Sequence, residues 1–225
     1  MENIIISIIH LILSFAITIF CYKKYGKYGL YIWMSVLVII CNIQTTKISE
    51  IFGLTISLGN ISYGALFLTT DILTEKYGKN STYNATKISF MTMAIFALLM
   101  YIFLQYKPSK IDFSQDALVT IFSYVPRVTA GSLLAYYISQ RCDAFLYSKL
   151  KAKYNKVWIS NNVSTMVSQI VDTLIFVMIA FVGTIPSSAI ITMILCQYIW
   201  KVVYEVVATP ITYKVINWYK KLENY

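Results

Sequence analysis

Asp172 is the residue around which this sequence gathers the means for chemistry. Asn161, Asn162, Thr165, Ser168, Gln169 and Thr173 accompany it as uncharged polar partners. At about 100° per residue, Thr165, Ser168 and Asp172 fall within roughly 40° of Asn161, and Asn162, Gln169 and Thr173 fall between roughly 80° and 120°. The opposite side reads Val163, Met166, Val167, Ile170, Val171 and Leu174. A helix divided in this way has one wet or hydrogen-bonded face and one that meets lipid or packed helices. The polar face is either a ligand or ion pathway or a seam of hydrogen bonds that glues helices together.

Other ionisable residues interrupt apolar stretches, where each costs roughly 2.5 to 3.5 kcal/mol near a bilayer centre and is retained to face a cavity or a partner. Asp71 and Glu75 stand four apart and share a helix face with Gly64, Phe67 and Gly78. Two such carboxylates repel unless one is protonated or a cation intervenes; for Glu75, near a membrane boundary, plain solvation is the other reading. Gln197, Lys201 and Glu205 recur every fourth residue. Lys201 either neutralises Glu205 within one helix or reaches Asp172 or a substrate. Arg127 follows Pro126 in mid-stretch, about ten residues from the nearer boundary on a helical count, and calls for a carboxylate partner. Asn42, Gln44, Thr45 and Lys47 add a polar group near the end of an earlier stretch. The set Asp71, Glu75, Asp172 and Glu205 against Arg127 and Lys201 leaves excess negative charge, which suits a cationic or hydrogen-bond-donating substrate, or protons.

The elements that must position these residues are membrane spans. Of 225 residues, 58% are hydrophobic and only 13% charged, about half the charge of a soluble domain, and the mean hydropathy is +0.64. Stretches long enough to cross a bilayer run over 4–22, 30–46, 56–74, 88–106, 117–138, 158–184 and 189–213. The third is the least apolar and reads as either a plain span or a broken, re-entrant one. Of the 19 Lys and Arg residues, fourteen lie in alternate connecting segments around Lys23, Lys76, Arg141 and Lys214, and three, Lys47, Lys107 and Lys110, lie in the intervening ones. Cytoplasmic loops hold the positive charge, so this alternation predicts seven crossings with the N-terminus outside and the C-terminus in the cytoplasm. The first stretch lacks the basic start and small-residue cleavage site of a signal peptide.

Several function classes are excluded. One histidine, His10, and four scattered cysteines, Cys21, Cys41, Cys142 and Cys196, do not make a zinc, haem or redox motif. No phosphate-binding loop, nucleophile elbow or zinc-protease helix is present, so neither an enzyme nor a cofactor is expected. The net charge of +9 sits beside spans, where topology explains it, and not in a nucleic-acid surface. Tyr22, Tyr25, Tyr28, Tyr31, Trp158, Trp218 and Tyr219 read as an interfacial aromatic belt. Gly131 and Ala135 form a small-residue pair that serves internal packing or a homo-oligomer.

The segments Leu68-Thr-Thr-Asp-Ile-Leu-Thr-Glu-Lys-Tyr-Gly78, Pro126-Arg-Val-Thr-Ala-Gly-Ser-Leu-Leu-Ala-Tyr136 and Asn161-Asn-Val-Ser-Thr-Met-Val-Ser-Gln-Ile-Val-Asp-Thr173, with Lys201 and Thr209-Pro210, resemble the queuosine precursor transporter family, also called the vitamin uptake transporter family. The resemblance implies an all-α polytopic bundle of the plasma membrane forming one transport domain, with a six-helix core over 29–215, an added N-terminal helix and loop over 1–28 and a cytoplasmic tail over 216–225. It implies import of 7-deazaguanine bases, such as queuine or 7-aminomethyl-7-deazaguanine, for queuosine modification of tRNA, without direct contact with nucleic acid. Within that implied role, Asp71, Asp172 and Gln169 are the candidates for base and amine recognition. Arg127, Asn161, Asn162 and Lys201 would contact the base oxygen or supply counter-charge, and Glu75 and Asn42 complete the candidate site. The alternative is a substrate-binding subunit docked on a separate ATP-driven module.

Overall fold

The computed structural model describes residues 2–51, 53–154 and 157–223. The first helix, α1 (Glu2–Thr45), reverses at Gly26, whose φ of 57° and ψ of −134° lie where a side chain is strained. Its two arms, 2–25 and 27–45, pack antiparallel, and Trp33 Nε1 donates to Thr18 Oγ1 across them at 2.8 Å. The first two predicted stretches are therefore one helical hairpin. Its first arm is part of the main core, to which it contributes Phe15 and Tyr22. Tyr22 is fully buried and meets Tyr77 edge to face at 6.4 Å, so it departs from the expected aromatic belt, whereas Tyr25 and Tyr28 are exposed.

After α1 comes a feature the hydropathy pattern did not suggest. Strands β1 (Ile48–Ile51) and β2 (Leu54–Ser57) form an antiparallel hairpin, with Ile48 opposite Ser57 and Ile51 opposite Leu54. Ile51 and Ile56 are buried against Cys196 and Trp200 of the last helix and Ile4 and Leu11 of the first. Asn3 Nδ2 donates to Ser49 Oγ and to the Glu50 carbonyl, at 3.1 and 3.2 Å. Pairing its own backbone and being enclosed by helices is what allows nonhelical chain here.

The third predicted stretch is the continuous helix α2 (Gly59–Tyr77). Its polar character follows from its place: eleven of its nineteen residues are buried, so protein surrounds it on most sides. Ser62 shows how its polar groups are satisfied. Its hydroxyl donates to Gln44 Oε1 at 2.7 Å and lies 2.9 Å from His10 Nε2, so the imidazole is the donor in that contact. At its start, a Cβ on Gly59 would overlap Thr45 Oγ1 and the Cys41 carbonyl, which makes glycine the condition for the close approach of α1 and α2.

Helix α3 (Lys79–Phe103) follows after Gly78 alone. The basic residues Lys76 and Lys79 thus stand on helix ends and Lys87 stands further along α3, none of them in a loop. The fifth stretch is divided into α4 (Gln115–Phe122) and α5 (Val125–Tyr154). Pro126 falls in the first turn of α5, where its missing N–H costs nothing, and the helix runs on through the segment expected to be the fifth connecting loop, carrying exposed Arg141, Lys149 and Lys153. Helices α6 (Val157–Phe181) and α7 (Ser187–Glu223) complete the chain. Among the described residues, four stretches, Asn3–Thr45, Lys79–Phe103, Gln115–Tyr154 and Val163–Phe181, are long and apolar enough to cross a membrane, and Ser187–Val203 is a shorter apolar helix.

The division of α6 into two faces is as the sequence implies. Val163, Met166, Val167, Ile170 and Leu174 are exposed, while Ser164, Ser168 and Thr173 are buried. α5 packs against the buried side. A Cβ on Gly131 would stand 3.3 Å from Ile179 Cγ2, and Ala135 is buried, so this small-residue pair serves internal packing.

Arg127 is near the start of α5 and not in mid-helix. Nε donates to the Ile179 carbonyl at 2.6 Å, and Nη2 donates to the Val182 carbonyl. Its partners are carbonyls at the end of α6, not the carboxylate expected from sequence, and a cation at a helix C-terminus is favoured by both the orphan carbonyls and the helix dipole. Two outcomes follow. Gly59→Val should destabilise the protein by about 1–3 kcal/mol through overpacking, read as a lower melting temperature in detergent. Arg127→Met should destabilise it by about 1.5–3 kcal/mol, the worth of hydrogen bonds made by a charged donor, while leaving ligand affinity within about twofold.

Candidate substrate site

Five helical segments converge on one cavity that leaves about 40 Å3 free inside and, counted with its open mouth, encloses about 460 Å3. The second arm of α1 brings Cys41, Asn42 and Thr45, and the first turns of α2 bring Gly59, Asn60 and Tyr63. Ser132 and Ala135 come from α5, Asp172 and Phe176 from α6, and Gln197 and Lys201 from α7. The sequence puts them there by helical spacing: Asn60 and Tyr63, Asp172 and Phe176, and Gln197 and Lys201 are each three or four apart and so stack on one face.

Lys201 and Asp172 form the centre of this site. Nζ donates to Oδ2 at 2.6 Å, and the side chains are 7% and 18% exposed, respectively. Ser139 Oγ donates to the other carboxylate oxygen at 3.2 Å, and the Lys201 ammonium lies 5.7 Å from the Tyr63 ring centroid. Of the two readings open for Lys201, the one that pairs it with Asp172 is realised; the Glu205 side chain lies outside the described residues. The pair has no net charge, yet it presents an acceptor beside a donor. Among the described lining residues, the excess of negative charge inferred from sequence is therefore not present.

Two carboxamides extend the polar lining. Asn42 Nδ2 donates to the Val38 carbonyl at 2.8 Å, and its Oδ1 has no hydrogen-bond partner among the described residues. Gln197 is fully buried, and neither its Oε1 nor its Nε2 has a partner among them. Buried polar groups without partners are rare because each forfeits its hydration. Gln197 was legible only as a member of the fourfold spacing with Lys201, and Tyr63 not at all among so many aromatic residues.

The remaining candidates lie elsewhere. Asp71 is eight residues beyond Tyr63, about 12 Å along α2, and it is half-buried there. Glu75, one turn further, is exposed, which accords with plain solvation. Gln169 is on α6 one turn from Asp172 but is not part of the cavity lining. Asn161 and Asn162 have side chains outside the described residues, and their positions on α6 are about 15 Å or more from Asp172 along the axis. Arg127 is engaged with the end of α6. Asp143, which the sequence placed in a loop, instead faces α6, where Ser168 Oγ lies 3.4 Å from its Oδ1.

A second cavity, with about 270 Å3 free inside, shares Thr45 with the first. It lies between Ile48 of the β-hairpin, Thr120 and Tyr124 of the α4–α5 region, and Phe181 and Thr184 at the end of α6. The two cavities thus adjoin, with the wider one toward the end of the bundle that carries the β-hairpin. The turn at Gly26 marks the opposite end, together with Tyr77, whose ring lies 5.9 Å from Lys27 Nζ.

Comparison with known proteins places this architecture. A family described as "Putative vitamin uptake transporter" matches residues 57–215, which include every described residue lining the Asp172–Lys201 cavity except the three from α1. A "Probable queuosine precursor transporter" of Bacillus subtilis (strain 168) is 38% identical over 205 residues, 90% of each chain. A "Queuosine precursor transporter" of Escherichia coli (strain K12) is 29% identical over 134 residues, 59% of this chain and 58% of that protein. No solved structure matches. With most of its length matched by the family model and by the Bacillus relative, the chain belongs to the vitamin uptake transporter family, and is thus a multi-pass membrane transporter and not an enzyme.

Proposed function

We propose that this chain imports queuosine precursors, 7-deazaguanine bases such as queuine or 7-aminomethyl-7-deazaguanine, across the plasma membrane for modification of tRNA. The observation that carries the reading is the enclosed Asp172–Lys201 pair in a cavity shared by five helical segments, found in a chain 38% identical to a protein named for that transport. A 7-deazaguanine offers a 2-amino group and an N1–H as adjacent donors, and O6 as an acceptor beside them. Asp172 accepts from the two donors and Lys201 donates to O6, so the ion pair meets the base edge as a matched set. Tyr63 and Phe176 supply apolar faces for a flat ring, and Asn42 Oδ1 accepts from the amine that these bases carry.

The chain acts as one transport unit with seven crossings, N-terminus outside. Support comes from the grouping of ends: the basic turn at Gly26 lies beside Tyr77, next to the basic α2–α3 junction, whereas Lys47 lies at the β-hairpin end. With basic segments cytoplasmic, the wider cavity opens outside and leads past Thr45 to the ion pair. Asp71 and Glu75 then stand on the cytoplasmic side of the binding cavity.

Cells unable to make or import these bases, expressing this chain alone, should take up labelled 7-aminomethyl-7-deazaguanine. Asp172→Asn should reduce uptake at least tenfold at equal surface expression. Absence of uptake by the parent chain despite good expression would overturn autonomous transport in favour of a subunit requiring an ATP-driven partner. A second outcome follows from the pair itself. Lys201→Met strands a buried carboxylate and should cost about 3–5 kcal/mol of stability, and adding Asp172→Asn should recover a large part of that loss. Equal melting temperatures for the single and double variants would show that the two residues are not coupled.

A further inference from the structure

We propose that Gln197 is the residue by which the cavity distinguishes a free base from its N9-substituted nucleoside. The inference rests on the 7-deazaguanine reading above and concerns the edge of the ring that the ion pair leaves unread.

Gln197 is the most completely enclosed polar side chain in the cavity, with no exposed surface. Its amide presents one acceptor, Oε1, and one pair of donors on Nε2, and neither atom is engaged by the described residues. A carboxamide in that condition is complementary to a ligand edge that places a donor and an acceptor about 2–3 Å apart, since both its atoms are then satisfied at once by two parallel hydrogen bonds. An apolar side chain of similar volume would avoid the desolvation cost entirely. The amide is thus matched to a ligand and not to the packing around it.

A 7-deazaguanine has two polar edges. With the 2-amino group, N1–H and O6 assigned to Asp172 and Lys201, the other edge consists of N3, an acceptor, and N9–H, a donor. Gln197 is one helical turn from Lys201 on the same face of α7, about 6 Å along the axis, which is the scale of the ring's width. Gln197 Oε1 accepts from N9–H while Nε2 donates to N3. A ribose or methyl group on N9 removes that donor and leaves Oε1 buried without a partner. Sites that hydrogen-bond a substrate group discriminate strongly against ligands lacking it, for this reason.

The test uses the purified full-length protein in detergent. Binding of 7-aminomethyl-7-deazaguanine and of its N9-methyl derivative is measured calorimetrically for the parent, Gln197→Met and Gln197→Glu, with the ligand-free melting temperature of each. The parent should prefer the free base by at least tenfold. Gln197→Met should bind the free base tenfold to a hundredfold more weakly and treat the two ligands alike to within about threefold, while melting at the same or a higher temperature because a buried amide has been removed. Gln197→Glu, which keeps the acceptor and loses the donor, should fall between. Unchanged free-base affinity in Gln197→Met, or an undiminished preference against N9-methyl, would overturn the proposal while leaving the transported class intact. A lower ligand-free melting temperature for Gln197→Met would also overturn it, since the amide would then be holding helices together. If the parent binds neither ligand, the 7-deazaguanine reading itself fails, and this inference with it.

Discussion

An ammonium and a carboxylate enclosed in a bundle that faces lipid can persist only if each neutralises the other, and that constraint organises this molecule. Asp172 and Lys201 come from different helices, separated by the whole connection between α6 and α7. Their contact fixes the rotation of each helix about its axis, which in turn directs Phe176 and Gln197 into the same cavity. Ser139 adds the α5 side of the arrangement through its hydrogen bond to the carboxylate. Such a pair does not stabilise the fold better than apolar side chains of the same shape would. It is better understood as a site that holds charge ready, at no net charge, for a ligand able to satisfy both partners.

The same solvent explains the distribution of polarity. Helices that meet lipid on one side, such as α3 and α6, carry exposed apolar stripes, among them Leu98, Ile95, Met166 and Ile170. α2 lies largely within protein, and its low hydropathy is permitted because its polar groups find partners there. Thr69 donates to the Ala65 carbonyl, and Ser62 links His10 with Gln44. The β-hairpin obeys the same rule by pairing its two strands and covering them with α1 and α7. Its position beside the junction of α1 and α2 places it over the cavity's approach.

Much of this was legible in the sequence because helical spans in a bilayer are written in long runs with a sharp polar to apolar division. The two faces of α6 and the turn between the first two stretches are of that kind. The separation of Asp71 from Asp172 was not legible, since helical periodicity orders residues along one helix and says nothing about the height at which two helices cross. Arg127 was misread for a local reason: hydropathy runs through the break between α4 and α5, so its place at the start of a helix was hidden and the carbonyls at the end of α6 were invisible as partners. The β-hairpin escaped because four-residue strands adjoining a long apolar run leave no separate periodic signal. Gln197 carried a signal, its fourfold spacing from Lys201, but only the orphaned amide atoms in the folded cavity distinguish it from an ordinary helix contact.

On the proposed reading, the transported base rests in the Asp172–Lys201 cavity. A structure of the full-length protein with 7-aminomethyl-7-deazaguanine bound tests it most directly. Ligand density is expected between Tyr63, Phe176 and Gln197, with the base edge against Asp172 and Lys201. Density centred on Asp71 and Glu75, or against Arg127 at the end of α6, with the Asp172–Lys201 cavity closed around no ligand, would contradict it.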